Sequence, residues 1–133
     1  MTLTELYDIA EQDRINIYSF QMNECESMSV LQNGDCFIAI DPFKLHSETD
    51  EKVKLAHEIG HCETGAFYNE YATCDIREKH ERRADKWAIK KLIPEDELKE
   101  ACKYCTNRWE LSEYFGVTED FMQKVLDYYK EIS

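Results

Sequence analysis

The sequence lacks any run of about twenty apolar residues, the length that a membrane-spanning helix requires. It also has little glycine and proline, with 4 and 2 residues respectively, which argues against a collagen-like, low-complexity or linker-rich chain. Residues 1–5 carry neither the basic segment nor the apolar core of a signal peptide, so we expect a cytoplasmic protein with no membrane partner. The 133 residues, 43% of them hydrophobic, suffice for one globular domain, in which residues 1–94 form the main core and residues 95–133 a helical C-terminal portion.

Positive charge is scarce as well. The chain has 16 lysines and arginines against 28 aspartates and glutamates, which gives a net charge of −12. Sequence-independent binding of nucleic acid depends on a cationic surface, and this chain as a whole repels phosphate. We therefore expect no direct nucleic-acid partner, whereas electrostatic steering would favour a basic protein.

Cysteine is better represented, with 6 residues, but the chain does not resemble a small secreted disulfide scaffold. Without an export signal, we expect these cysteines to be reduced thiols. The pair Cys102 and Cys105 has the spacing of metal ligands, yet a structural zinc site needs four ligands and no second pair is apparent. Cys62 follows His61 and should point away from the metal-binding side of that helix.

The motif that stands out is H-E-x-x-H over His57–His61. Residues four apart share one helix face, so His57 and His61 can offer ring nitrogens to one metal ion. Glu58, rotated by about a quarter turn, would lie beside the metal, where a carboxylate can take a proton from water. This is the signature of zinc hydrolases, and it predicts two ligands and a general base. The alternative is a helix that carries two surface histidines by coincidence.

A third ligand is available in a second helical stretch. Glu81 and Asp85 are four residues apart, hence on one helix face, and the segment after His61 is long enough for a loop and an antiparallel return. Glu81 could complete a catalytic site, which needs three protein ligands and an open position. Asp85 could accept the free ring N–H of a ligand histidine and hold its orientation. The competing interpretation is that both carboxylates are solvated helix charges.

The chain resembles the ImmA/IrrE family of metallopeptidases in three motifs: H-E-I-G-H over His57–His61, E-x-x-A-D-x-W-A over Glu81–Ala88, and an apolar pair with proline over Leu92–Pro94. The resemblance extends from about Ile38 to Pro94 and more loosely to the C-terminus.

The resemblance implies a thermolysin-like site in which His57, His61 and Glu81 bind one zinc ion per chain and Glu58 is the general base. The family includes peptidases encoded on phages and mobile elements that cleave a helix-turn-helix repressor. By that resemblance, we expect the partner to be a protein substrate of this kind.

Residues 64–79 are predicted as a loop with room for a short helix. Three side chains in or beside this segment, Tyr68, Tyr71 and His80, could donate a hydrogen bond to the oxyanion of a transition state. Packing or surface exposure is the more ordinary role of each.

The remaining pattern predicts an α+β fold that begins with a helix capped by Thr4. Alternation over Ile15–Phe20, Met28–Leu31 and Cys36–Ile40 predicts about three strands, and Asn33-Gly34 marks a hairpin turn. We expect a small antiparallel sheet packed on helices, with an edge strand that could align a substrate as an added strand.

Five further helices complete this prediction. The H-E-x-x-H helix begins after Ser47 or Thr49, the Glu81-bearing helix covers about His80–Leu92, and another covers Glu95–Cys105. Residues 109–130 resemble a helix-turn-helix. Its second helix is rich in acidic residues, which favours a structural hairpin or a protein-docking surface over DNA reading.

The sequence therefore predicts a zinc-dependent metallo-endopeptidase. Two alternatives remain open: a metal-bound regulatory binding module without turnover, and a DNA-binding regulator that uses residues 109–130. A binding module has no need for Glu58, and the acidic surface argues against the DNA-binding regulator.

Overall fold

A computed structural model describes residues 1–68 and 71–132, and these residues form a three-stranded sheet and six α-helices, which confirms the predicted α+β class. The strands are β1 (Asn16–Ser19), β2 (Ser27–Gln32) and β3 (Asp35–Ile40). The helices are α1 (Leu3–Gln12), α2 (Glu48–Thr64), α3 (Cys74–Leu92), α4 (Glu95–Ala101), α5 (Arg108–Phe115) and α6 (Glu119–Ile132). Residues 69–70 of the predicted loop, and residue 133, lie outside the described residues. None of these helices is long and apolar enough to cross a membrane.

The sheet is mixed, with strand order β1-β3-β2. β2 and β3 form the predicted antiparallel hairpin, whose turn has Asn33 at φ 54° and Gly34 at φ 83°. Two successive positive φ values are typical of a type I′ turn, whose twist matches the strands it joins. β1 runs parallel to β3. After β1, the chain crosses to the far edge of the sheet and forms β2, and the hairpin then leads into β3, which lies between β2 and β1. The expectation of a wholly antiparallel sheet is therefore corrected at β1.

A buried carboxylate holds the segment that crosses from β1 to β2. Asp41, at the end of β3, is fully buried and accepts hydrogen bonds from the backbone N–H groups of Met22 at 2.9 Å and Phe43 at 3.0 Å. The ammonium group of Lys44 lies 3.9 Å from the same carboxylate and donates a hydrogen bond to the Cys25 carbonyl. These contacts fix the point at which the chain enters β2.

The two long helices, α2 and α3, lie against each other, and α2 also packs on the sheet. Ser47 caps α2, as predicted, by accepting a hydrogen bond from the Asp50 N–H at 3.1 Å. α3 begins at Cys74 after the cap Thr73, well before the predicted start at His80. The polar residues that precede His80 show little apolar periodicity, so their helical state depends on the cap and on continuity with the packed half of α3.

The remaining helix ends differ only slightly from the predictions. Thr2, rather than Thr4, caps α1 by accepting the Glu5 N–H. α4 ends at Ala101 rather than at Cys105, and residues 102–104 form turns.

The C-terminal hairpin of α5 and α6 is anchored to α2. Lys52 is a buried lysine on α2, and its ammonium donates a hydrogen bond to the Phe115 carbonyl at the end of α5 at 2.7 Å. Burial lowers the pKa of this ammonium, and Glu48 and then Glu5 oppose the shift. The contact satisfies a carbonyl that the helix end leaves without a partner inside α5.

The core lies between the sheet, α2, α3 and the C-terminal helices. Its largest fully buried apolar side chains are Leu6, Ile38, Ile40, Leu55, Ile59, Leu92, Ile93, Met122 and Val125. Where α2 meets α3, Gly60 faces the backbone of Ala84, and a Cβ atom at Gly60 would lie 2.5 Å from the Ala84 carbonyl oxygen. The absence of a side chain at Gly60 therefore permits the close approach of the two helix backbones.

The expectation of reduced thiols is wrong for one pair of cysteines. Cys36 of β3 and Cys62 of α2 form a disulfide, with their Cα atoms 5.9 Å apart. Cys25, Cys74 and the pair at 102 and 105 are free thiols. The fold brings together two cysteines that are 26 positions apart in sequence, a proximity that spacing alone does not reveal.

Replacing Gly60 with Ala should separate α2 from α3. The added methyl group cannot be accommodated without movement of backbone, so we expect the free energy of unfolding to fall by about 2 kcal/mol, although alanine favours a helix. Urea denaturation of both proteins measures the change, and an unaltered or increased stability would contradict the close contact.

The disulfide predicts a specific thiol count. Thiol titration of the denatured protein should find 4 free thiols before reduction and 6 after it. Because the bond closes a loop, its reduction should lower the free energy of unfolding by about 3 kcal/mol. Six reactive thiols in protein purified without reductant would contradict the bond.

Candidate metal centre

Two helices supply the three side chains that converge on one point. α2 carries His57 and His61 on one face, and α3 brings Glu81 opposite them. The Nε2 atom of His57 lies 2.7 Å from Glu81 Oε2 and 3.2 Å from His61 Nε2, and His61 Nε2 lies 3.1 Å from Glu81 Oε1. The three predicted ligands are therefore brought together, with ligand atoms that all lie within 4.8 Å of one another.

The second ring nitrogen of each histidine is already engaged. Nδ1 of His57 donates a hydrogen bond to Asp85 Oδ1 at 2.8 Å, and Nδ1 of His61 donates to the Ala66 carbonyl at 2.5 Å. These bonds select the tautomer that leaves both Nε2 atoms available, which is the usual arrangement around histidine ligands. Asp85 thus lies where the sequence predicted an orienting carboxylate.

This donor set fits a divalent transition metal. Two imidazole nitrogens and one carboxylate are the ligands of the His₂Glu class of catalytic zinc sites. In a tetrahedral site with zinc–ligand bonds of about 2 Å, the ligand atoms lie roughly 3.3 Å apart. The observed separations of 2.7–3.2 Å are slightly smaller, so a small outward movement of the side chains is enough to admit the ion.

The electrostatics of the group favour positive charge at its centre. Burial lowers the pKa of His57, but hydrogen bonds to Asp85 and then to Glu81 outweigh burial and raise the pKa to about 10. The pKa of His61 is raised against burial in the same way, by Glu81 and the Ala66 carbonyl. Hydrogen bonds from the two histidines hold the pKa of Glu81 well below its usual value. A metal ion would replace the protons that these pKa values retain.

Asp85 also connects the centre to the C-terminal helix. Burial raises the pKa of Asp85, but the hydrogen bond and charge of His57, together with Lys124 of α6, outweigh burial and lower the pKa. The Lys124 ammonium lies 3.4 Å from Asp85 Oδ2. The sequence contained no sign that α6 would approach the site, because this contact spans distant parts of the chain.

Glu58 lies in a cleft of about 400 Å³ that also contains the three ligands. Its side chain is buried, with 7% of the residue surface exposed, and its Oε2 atom accepts a hydrogen bond from the Ser27 hydroxyl at 2.8 Å. β2 forms one wall of the cleft through residues 27–29. Ser27 is a residue that the sequence prediction missed, since no motif contains it.

The three candidate oxyanion donors differ in their position relative to the cleft. Tyr68 lines the cleft, where its hydroxyl donates a hydrogen bond to Glu81 Oε1 at 2.9 Å; burial and this bond raise its pKa. The ring of His80 stacks on Tyr68 at 6.2 Å, but His80 is not part of the cleft wall. Tyr71 is 85% exposed and also lies outside that wall.

Comparison with known families adds independent support. A family model described as the IrrE N-terminal-like domain, a peptidase family, matches residues 33–127. No curated protein and no solved structure matched the chain. The matched region contains the H-E-x-x-H helix, Glu81 and most of α6, and it supports a metallopeptidase type of function.

Metal binding should depend steeply on pH. Because the pKa of His57 is raised to about 10, a metal must displace a proton at every pH below that value. The apparent metal affinity should therefore rise with pH, by up to roughly tenfold per unit for one released proton. Competition with a chelator between about pH 6 and pH 8 measures this dependence. An affinity that does not change with pH would show that metal binding releases no proton and would contradict the raised pKa of His57.

Proposed function

Since the chain belongs to the ImmA/IrrE peptidase family through its IrrE N-terminal-like domain, we propose that it is a zinc-dependent endopeptidase. The observation that carries this proposal is the convergence of His57, His61 and Glu81 beside the buried Glu58 in one cleft. Three ligands and a neighbouring carboxylate are the groups that metal-assisted hydrolysis of a peptide bond uses.

Each residue of the site has a distinct proposed role. His57, His61 and Glu81 hold the ion, while Asp85 and the Ala66 carbonyl keep the imidazoles in their ligand tautomer. When bound, zinc supplies Lewis-acid polarisation of water and of a substrate carbonyl.

Glu58 is the proposed proton carrier. Its carboxylate takes a proton from the attacking water and returns it to the leaving amine. Burial keeps the carboxylate away from bulk water, so the proton transfers within the cleft.

Tyr68 is the proposed donor to the developing oxyanion. Of the three candidates, it is the one that lines the cleft. In the structure that hydroxyl donates to Glu81, and a rotation of the exposed ring would redirect it towards substrate.

The edge strand β2 is the proposed substrate platform. β2 lies at one side of the sheet, and no strand pairs with its outer edge among residues 1–68 and 71–132. An extended segment of a protein could bind there by backbone hydrogen bonds and run past the metal centre. We propose a helix-turn-helix repressor as the protein substrate, on the strength of the family resemblance and of the net charge of −12, which favours a basic partner.

Replacing Glu58 with Gln should abolish cleavage and leave zinc bound, because the amide cannot accept the proton and is not a ligand. We expect kcat to fall by roughly 100-fold or more. Metal content and cleavage of a repressor encoded beside the gene are measured together. Glu63→Gln is the matched control, since Glu63 is exposed on the same helix and should retain full activity.

Each outcome of this experiment is distinct. Zinc in both proteins with cleavage by the wild type alone supports the enzyme and its general base. Zinc in both with cleavage by neither, over a panel of repressors, favours a regulatory binding module. Absence of zinc from the wild type would refute the metal centre.

A further inference from the structure

One set of paired residues across the sheet is apolar on the central strand and polar on both edge strands. Ile40 of β3 is 2% exposed and lies opposite Ser27 on β2 and opposite Ser19 on β1. Directly paired residues of neighbouring strands point to the same face, so both serines share the helix-facing side with Ile40. Ser27, at the edge of the sheet beside the cleft, is therefore a polar residue paired with the core residue Ile40.

The hydroxyl at this position is directed at the general base. Ser27 Oγ donates to Glu58 Oε2 at 2.8 Å, and Glu58 is buried. The backbone of β2 is held independently of that contact, because Ser27 pairs with Ile40 and the Asp41 N–H donates to the Glu26 carbonyl at 2.9 Å. The sheet therefore fixes the position of the Ser27 hydroxyl. The hydrogen bond from this hydroxyl restricts the orientation of the Glu58 carboxylate.

We propose that Ser27 is a positioning residue that orients the general base; this inference rests on the proposed peptidase function. A glutamate side chain has several rotatable bonds, and a hydrogen bond to one oxygen reduces the orientations it can adopt. With Oε2 engaged by Ser27, Oε1 is the oxygen that accepts the proton of the attacking water. In this role the Ser27 hydroxyl acts only through Glu58, whereas the substrate contacts proposed for β2 are made by its backbone.

The first experiment compares Ser27→Ala, Ser27→Thr and Ser19→Ala with the wild type. Loss of the hydroxyl should lower kcat by roughly 10- to 100-fold, as expected for a misplaced catalytic group, while KM and zinc content stay near their original values. Threonine keeps a hydroxyl and suits a strand, so it should recover most of the lost kcat. Ser19→Ala removes the same group from the same set of paired residues at the opposite edge and should leave kcat unchanged.

A second measurement does not depend on activity. In the metal-free protein at a fixed pH, the carboxyl ¹³C signal of Glu58 can be assigned by its disappearance in Glu58→Gln. Loss of the donor in Ser27→Ala should shift this signal, and Ser19→Ala should not. Because the signal reports the contact itself, it remains informative if the protein cleaves no tested substrate.

The outcomes separate the two proposals. A fall in kcat with a shifted signal, both restored by threonine, supports the positioning role. An unchanged kcat in Ser27→Ala, a change in KM alone, an equal loss in Ser19→Ala, or an unshifted carboxyl signal would each overturn it. If the wild type binds zinc but cleaves nothing, a shifted signal supports the contact while the peptidase function fails.

Discussion

The close contact between α2 and α3 is the constraint on which the metal centre depends. Gly60 lies one residue before His61, and its missing side chain lets the backbone of Ala84 approach. That approach sets the separation at which Glu81 reaches the two histidines and Asp85 reaches His57. A larger residue at Gly60 would move all four groups at once, because they are carried by two rigid helices.

Charge in the centre is balanced by short contacts among its own residues. His57 lies between Asp85 and Glu81, and His61 lies between Glu81 and the Ala66 carbonyl; the pKa values of both histidines are raised and those of both carboxylates are lowered. A bound cation would displace these protons, so the contacts that raise the pKa values of the histidines would also favour a metal ion.

The small sheet contributes a wall and a fixed donor to the cleft. β1 pairs with one side of β3, so β2 is the edge strand on the other side, and residues 27–29 of β2 line the cleft that contains the candidate ligands. Buried Asp41 and the disulfide between Cys36 and Cys62 both tie β3, and with it the rest of the sheet, to neighbouring segments. A donor carried by such a sheet has little freedom to move, which suits a residue that orients Glu58.

Local sequence patterns were enough to identify the side chains of the candidate metal site. Spacing alone placed His57 and His61 on one helix face and Glu81 and Asp85 on another, since helical periodicity is a local property. It also predicted the α+β class and the Asn33-Gly34 hairpin. Tertiary structure alone decided the parallel pairing of β1, the start of α3 at Cys74, and the contacts of the Ser27 hydroxyl and the Lys124 ammonium with site residues. Such contacts join residues far apart in sequence, and only the folded backbone brings them within hydrogen-bonding distance.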